Sequence, residues 1–288
     1  MPAKRIVFFG RPGVGTTTVV ANIGASLAEA GRRVAVIGCD AAGRSTASLR
    51  QKRTPTTLLE ALRQSPRVEL AQVSAAGFKG LLCLELGKAQ EAVEIAIAFS
   101  VVDELFANQA PNLDYVLYDA TGPDADPDIF VAPLLQHQQA DQLVIVSTAE
   151  VDSLHAVNQL LHLLRKTNRD NQVVASGLLG NNLPAPYAEA IIDSFARTVG
   201  LPVAAFIPQS LVVTRSAFFG ASVIDAAPLA HHSYLYRKAA RGLIATRPFS
   251  QRQSPKPLGE ENFVEWSLDW GERLFDLGEG YVDGGAAI

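Results

Sequence analysis

The sequence predicts an α/β fold with a mainly parallel sheet covered by helices on both faces, and three observations carry that prediction. Short apolar runs recur along the chain. Longer stretches of helical periodicity separate most of them. The runs are apolar at successive positions instead of alternating, as strands buried on both faces are.

The elements follow in order. Ile6–Phe9 reads as a strand that meets a Gly-rich turn, and from Thr16 to Ala30 apolar residues recur at helical spacing until Gly31 stops the pattern. Further strands are expected at Val34–Gly38, Leu81–Leu86, Tyr115–Tyr118, Leu143–Ser147, Val173–Leu179 and Val203–Ile207, with Glu85 the one charge in its run. Helices are expected at Val93–Ala107, Ser153–Lys166, Pro186–Val199 and Ser233–Ile244. With 48% hydrophobic residues among 288, the chain can bury a large core.

After Pro248 the composition changes, and Ser250 to Pro257 reads as a linker. We therefore divide the chain into a domain at 1–247 and a C-terminal extension at 248–288. In the extension Phe263, Trp266, Trp270, Leu274 and Phe275 are spaced for one helical face. That face packs either on the chain's own core or, as both tryptophans of the chain fall here, on a second subunit or partner.

Composition excludes several functions. A net charge of −4 with no Lys/Arg block longer than a pair leaves nothing to neutralise a phosphate backbone, so neither nucleic acid nor an anionic membrane is expected as a partner. No stretch approaches the roughly 18 apolar residues of a membrane span, and Ile6–Phe9 is too short for a signal-peptide core; a cytoplasmic protein is expected. Cys39 and Cys83 are far apart in apolar segments and read as buried small hydrophobes.

The segment Gly10-Arg-Pro-Gly-Val-Gly15-Thr16-Thr17 has the glycine spacing of a phosphate-binding Walker A loop, set between a strand and a helix. Gly10, Gly13 and Gly15 allow backbone N–H groups to surround a phosphate, and Thr17, followed by Thr18, stands where a Mg²⁺-binding hydroxyl is expected. The lysine is absent and Thr16 takes its place, which removes the positive charge that reaches the β- and γ-phosphates. By itself such a loop reads equally as a tight strand-to-helix turn.

Further segments add a specific resemblance. Val36-Ile-Gly-Cys-Asp40, Ser45-Thr46, Tyr118-Asp119-Ala-Thr-Gly122, Gly177-Leu-Leu-Gly-Asn181 and Phe206-Ile-Pro208 occur in the order and at about the spacing of the nitrogenase iron protein family, which includes the iron proteins of light-independent protochlorophyllide and chlorophyllide reductases. The resemblance implies a P-loop NTPase fold and a homodimer of facing halves. Each half in that family binds MgATP, and one [4Fe–4S] cluster lies between them. It also implies nucleotide-side roles for Asp40, Asp119, Gly122, Asn181 (adenine contact) and Pro208 (base pocket).

The chain departs from that pattern where the chemistry lies. Arg11 replaces the loop's first lysine, Pro12 removes a backbone donor, Arg44 stands for the second switch carboxylate, and Pro123 for the carboxylate after Gly122, with Asp124 one step away. Counting from Glu85 and Asp119, the two cluster-cysteine positions hold Ile95 and Asp126. These losses imply a non-catalytic member that carries no iron–sulfur cluster and acts by binding a protein, for instance the catalytic component or the iron protein of a nitrogenase-like reductase. Two alternatives stay open. One is a weak nucleotide-binding switch that holds MgATP through Arg11, Thr17, Asp40 and Asp119. The other is an ATP-dependent electron-donating reductase component with new ligands.

Overall fold

The computed structural model of the chain describes residues 3–50, 56–89, 92–121, 140–167, 174–245 and 255–278. Among them eight strands form one sheet: β1 (Lys4–Phe9), β2 (Val34–Gly38), β3 (Ser74–Ala76), β4 (Leu82–Glu85), β5 (Tyr115–Asp119), β6 (Gln142–Ser147), β7 (Val174–Leu183) and β8 (Val203–Pro208). Their order is β3-β4-β2-β5-β1-β6-β7-β8, parallel throughout except for the antiparallel edge pair β3–β4. β1 pairs with β5 on one side and β6 on the other, so the chain winds outward in both directions from it. In an open α/β sheet a ligand crevice forms at the carboxyl end of such a switch point, and here the glycine loop leaves β1 there.

Ten helices lie among the described residues: α1 (Thr16–Glu29), α2 (Leu58–Gln64), α3 (Leu70–Val73), α4 (Ala92–Gln109), α5 (Val151–Thr167), α6 (Pro186–Val199), α7 (Leu211–Phe218), α8 (Val223–Ala226), α9 (His231–Ala245) and α10 (Glu260–Gly278). They build two cores on the two faces of the sheet. Val7 and Phe9 of β1 join the core roofed by α4, α5, α6 and α10, whereas Ile6 and Phe8 join the core roofed by α1, α8 and α9. Alternate side chains of a strand point to opposite faces, which is why β1 must be apolar at every one of these positions.

Every strand and helix expected from the sequence is present, with ends moved by a few residues. Val173 lies outside the described residues, and β7 runs on from the expected Leu179 to Leu183, carrying Asn181 into the sheet. The short elements α2, α3, α7, α8 and β3 were not expected; none is long enough to show a period by itself. No helix among the described residues is long and apolar enough to cross a membrane.

The extension is fastened to its own chain. Lys256 N–H donates to Val199 O at 2.8 Å, and the Asn158 side chain clasps the Leu258 backbone from both sides, at 2.9 Å to its carbonyl and 2.8 Å from its N–H. α10 then lays Phe263 and Trp270 into the α5–α6 core. Phe195 meets both Phe263 and Trp266 edge-on, and the Ser194 hydroxyl accepts from both indoles, at 3.3 Å from Trp266 and 3.1 Å from Trp270. Of the two uses open for this aromatic face, packing on the chain's own core is the one observed. Phe275 does not share it: Leu274 continues the 263/266/270 stripe, and one residue further turns the helix by about 100°, so Phe275 faces outward.

Candidate functional site

The glycine loop bridges the end of β1 and the start of α1, a helix of 14 residues whose N-cap is Gly15 at φ 88° and ψ 25°. Only glycine takes that left-handed conformation without strain. Space requires it as well, since a Cβ there would lie 2.5 Å from the amide nitrogen of Asn181. Gly10 is equally enclosed, with Thr16 Oγ1 and the Val146 carbonyl each 2.6 Å from where a Cβ would sit. Gly13 has φ 93° and open space around it. The loop therefore takes a cradle form with α1 opening beneath it, and backbone N–H groups and the helix dipole favour an anion there.

The side chains around the cradle decide how it can be used. Thr17 Oγ1 donates to Asp119 Oδ2 at 2.6 Å, and Thr121 donates to Oδ1 of the same carboxylate. Asp119 ends β5 and is 1% exposed. Burial pushes its pKa up to about 6, against the pull of the Thr121, Thr17 and Ser45 hydroxyls, and the Glu85 carboxylate adds to the rise. Thr17 and Asp119 thus keep the hydroxyl–carboxylate pair that holds Mg²⁺ beside a nucleotide in P-loop proteins.

The charge-supplying residues are placed otherwise. Thr16 Oγ1 is buried under Gly10 and finds no hydrogen-bond partner, so nothing at this position reaches over the loop. Arg11 is exposed and its guanidinium lies 3.4 Å from Asp152 at the start of α5. Asp40 accepts from the Ala42 N–H at 3.2 Å in a tight turn, and Arg44 beyond it points to solvent. Thr18 lies behind the loop, where its carbonyl accepts from the Asn22 amide at 2.8 Å.

Asn181, 6% exposed, donates its amide to the Val14 carbonyl at 2.8 Å. It braces the loop from β7 through one N–H of its amide. Pro208 ends β8 beside it, with its carbonyl 3.0 Å from His232 Nε2. Gly122, Pro123, Asp124 and Asp126 lie outside the described residues.

Two buried polar groups were not singled out from the sequence as parts of this site. Glu85 is fully buried, accepts from Thr46 N–H at 2.8 Å and Thr46 Oγ1 at 2.6 Å, and has Arg50 at 3.8 Å; burial raises its pKa. It ties the Ser45-Thr46 segment to β4, and the signal for it was a lone charge in an apolar strand. Asn22 on α1 accepts from the Val223 N–H at 2.7 Å, linking the loop's helix to α8. A polar residue in a helix carries no such signal.

The one cluster position among the described residues, Ile95, fits a metal poorly. α4 starts at Ala92, so Ile95 lies inside it, completely buried in the core with Phe99. Cys39 and Cys83 are both buried beside β2 and β4; burial raises the Cys39 thiol well above its usual value and pushes Cys83 up to about 12. Iron ligation needs thiolates at a shared exposed edge, and these thiols are neither ionised nor exposed. Among the described residues no three of His, Cys, Asp and Glu converge on a point.

The family model for "4Fe-4S iron sulfur cluster binding proteins, NifH/frxC family" matches residues 4–272. Nitrogenase iron protein 2 of Paenibacillus durus is 29% identical over 289 residues, covering 99% of this chain and 97% of that protein. Nitrogenase iron protein 2 of Methanothermobacter thermautotrophicus is 29% identical over 268 residues, covering 91% and 97%. Among solved structures, a ParA family ATPase from Chlorobium tepidum superposes with a TM-score of 0.67 at 22% identity, over 84% of this chain and 99% of that one. The MinD cell division protein of Aquifex aeolicus superposes at 0.65 with 20% identity, over 85% and 98%. These two likenesses establish the P-loop NTPase fold.

Proposed function

The chain belongs to the NifH/frxC family of 4Fe-4S iron sulfur cluster binding proteins, and on that premise we propose that it works without the cluster and without ATP hydrolysis, by binding a protein partner. The partner is a nitrogenase-like reductase component: the catalytic protein or another iron protein with intact motifs. The observation that carries this reading is Ile95. At a position where the family places a cluster thiolate, this chain has a fully buried aliphatic residue inside a helix, and a helix interior in a packed core offers no ligand. Thr16 supports it from the nucleotide side, because its hydroxyl is turned beneath the loop and the loop retains no lysine.

A second reading, a nucleotide-binding switch, is favoured by the intact Thr17–Asp119 pair and by the cradle geometry of Gly13 and Gly15. In that case Thr17 and Asp119 would hold Mg²⁺, the loop N–H groups the phosphates, and Arg11 would have to leave Asp152 to supply charge. A third, an electron-donating component, would need new thiolates as well.

Protein purified without oxygen separates the readings. The proposal expects a colourless protein with no stoichiometric iron, no saturable heat on titration with MgATP, and co-purification with a nitrogenase-like component. Saturable MgATP binding without turnover supports the switch. A broad absorbance at ~400 nm with bound iron overturns both. The family's homodimer is part of the proposal, and light scattering at several concentrations tests it.

A further inference from the structure

Glu85, Gly38 and Asp119 stand in one row at the carboxyl edge of the sheet, because Gly38 of β2 pairs in register with Glu85 of β4 on one side and with Asp119 of β5 on the other. Side chains in one row of a parallel sheet point to the same face, so both buried carboxylates flank Gly38 on one side of the sheet. Gly38 leaves them the space. A Cβ there would lie 2.0 Å from Glu85 Oε2 and 2.5 Å from Ser45 Cβ.

Residues 44–50 cover this row. They take turns instead of helix or strand and end in a single bridge between Arg50 and Gly77. Two adjacent residues of the segment are divided between the two carboxylates. Thr46 gives its N–H and its hydroxyl to Glu85 Oε1, at 2.8 and 2.6 Å. The Ser45 hydroxyl lies close enough to favour the charged form of Asp119, though it makes no hydrogen bond. Asp119 in turn accepts from Thr17 of the glycine loop. At the far end Arg50 lies 3.8 Å from Glu85 and 3.4 Å from the Gly43 carbonyl, and the Leu49 carbonyl accepts from the Phe78 N–H at 2.9 Å.

The network is buried but only half satisfied. Among the described residues Glu85 Oε2, Ser45 Oγ and Arg50 Nε and Nη1 have no hydrogen-bond partner. Each such group carries a desolvation cost while the segment is closed, and water relieves that cost when it opens. Residues 44–50 therefore separate from the sheet more easily than the strands beneath them separate from one another.

We propose that residues 44–50 are a latch, held closed by Glu85 and opening as a unit, that couples the Thr17–Asp119 pair at the glycine loop to the end of β4. Ser45 and Thr46 are consecutive, so a shift at Asp119 moves the turn that Glu85 holds, and release of Thr46 from Glu85 in turn loosens the surroundings of Asp119. Glu85 is a positioning residue in this scheme. The latch needs no nucleotide, cluster or partner, so it is independent of the function proposed above.

Hydrogen exchange of the full chain, read by mass spectrometry without nucleotide, iron or partner, tests the latch apart from that function. In the wild type residues 43–50 are expected to exchange faster than β6 and β7. Thr46→Val keeps the shape of the side chain but removes its hydroxyl bond, and is expected to speed exchange in 43–50 roughly tenfold with β6 and β7 unchanged. Thr46→Ser keeps the hydroxyl and is expected to match the wild type. Thr17→Val acts at the other end, on a residue hydrogen-bonded to Asp119 and not to Thr46 or Glu85, and is expected to speed exchange in 43–50 by at least ~threefold. Protection of β6 and β7 verifies that each variant folds, and should Thr46→Val fail to fold, the wild type and Thr17→Val still decide the matter. The proposal is overturned if residues 43–50 of the wild type exchange as slowly as β6 and β7, or if Thr46→Val leaves them unchanged or speeds all three regions alike. It is equally overturned if Thr46→Ser behaves as Thr46→Val does, or if Thr17→Val leaves residues 43–50 unchanged.

Discussion

At Asp119 burial and hydrogen bonding act in opposite directions, and burial is the larger effect. A carboxyl held near 6 in the native protein, against about 3.9 in an unfolded chain, binds more protons folded than unfolded between those values. Stability from this group is therefore greatest at low pH and declines as pH rises from about 4 to 6, to a cost of roughly 2–3 kcal/mol above that window. Asp119→Asn, which can still accept from Thr17, is expected to stabilise the protein at pH 7.5 by about 1–2 kcal/mol and to give no gain near pH 4, as read by urea titration at the two pH values. An equal gain at both would mean that ionisation of Asp119 is not the cause. Thr16 offers a second test at this scale. Thr16→Val removes a buried hydroxyl with no partner and is expected to leave stability unchanged or raised by up to ~1 kcal/mol. Thr16→Lys restores phosphate charge and is expected to raise MgATP affinity in calorimetry with little turnover, because Arg44 and Pro123 stand where the resemblance implies switch carboxylates.

Among the elements, α10 and its strap show how a tail becomes part of a core. Asn158 satisfies both backbone groups of Leu258, and His162 Nε2 lies 2.9 Å from the same carbonyl. Asn158→Ala leaves the Leu258 N–H without that partner and is expected to cost about 1–3 kcal/mol, most of it local. Hydrogen exchange should show faster opening of residues 256–270 while the β1 and β6 amides stay protected; uniform loss of protection would mean that the strap is not a separate unit. Phe263→Ala, at the centre of the α10 contact with Phe195, is expected to cost about 3–5 kcal/mol by cavity formation. α4 likewise contributes to this core, its first turn carrying the fully buried Ile95.

Across the whole molecule, the two tryptophans report on α10, whereas far-ultraviolet dichroism reports on the sheet and all the helices. Because Trp270 and Phe263 share one core with β1, β5 and β6, the tail and the sheet are expected to unfold together, with coincident fluorescence and dichroism transitions in urea. In Asn158→Ala the fluorescence transition should move to lower urea ahead of the dichroism. Transitions already separate in the wild type would show that α10 is only loosely attached.

The sequence by itself determined the α/β class, the strand–loop–helix around Gly10 to Thr17, and the family, because hydrophobic period and glycine spacing are local properties of the chain. That Thr16 stands in the loop where a lysine is expected, and that position 95 is aliphatic, are likewise matters of residue type that the sequence shows directly. Only the tertiary structure decided where each remaining group is used. Asn181 and Arg11 were both legible as candidates, but a side chain's partner depends on what the fold brings beside it: Val14 carbonyl for the first, Asp152 for the second. The same holds for the extension. Its helical period was readable, yet whether Phe263 and Trp270 would face their own core or another molecule depended on the groove between α5 and α6, more than 60 residues away in sequence and formed only when the sheet has assembled.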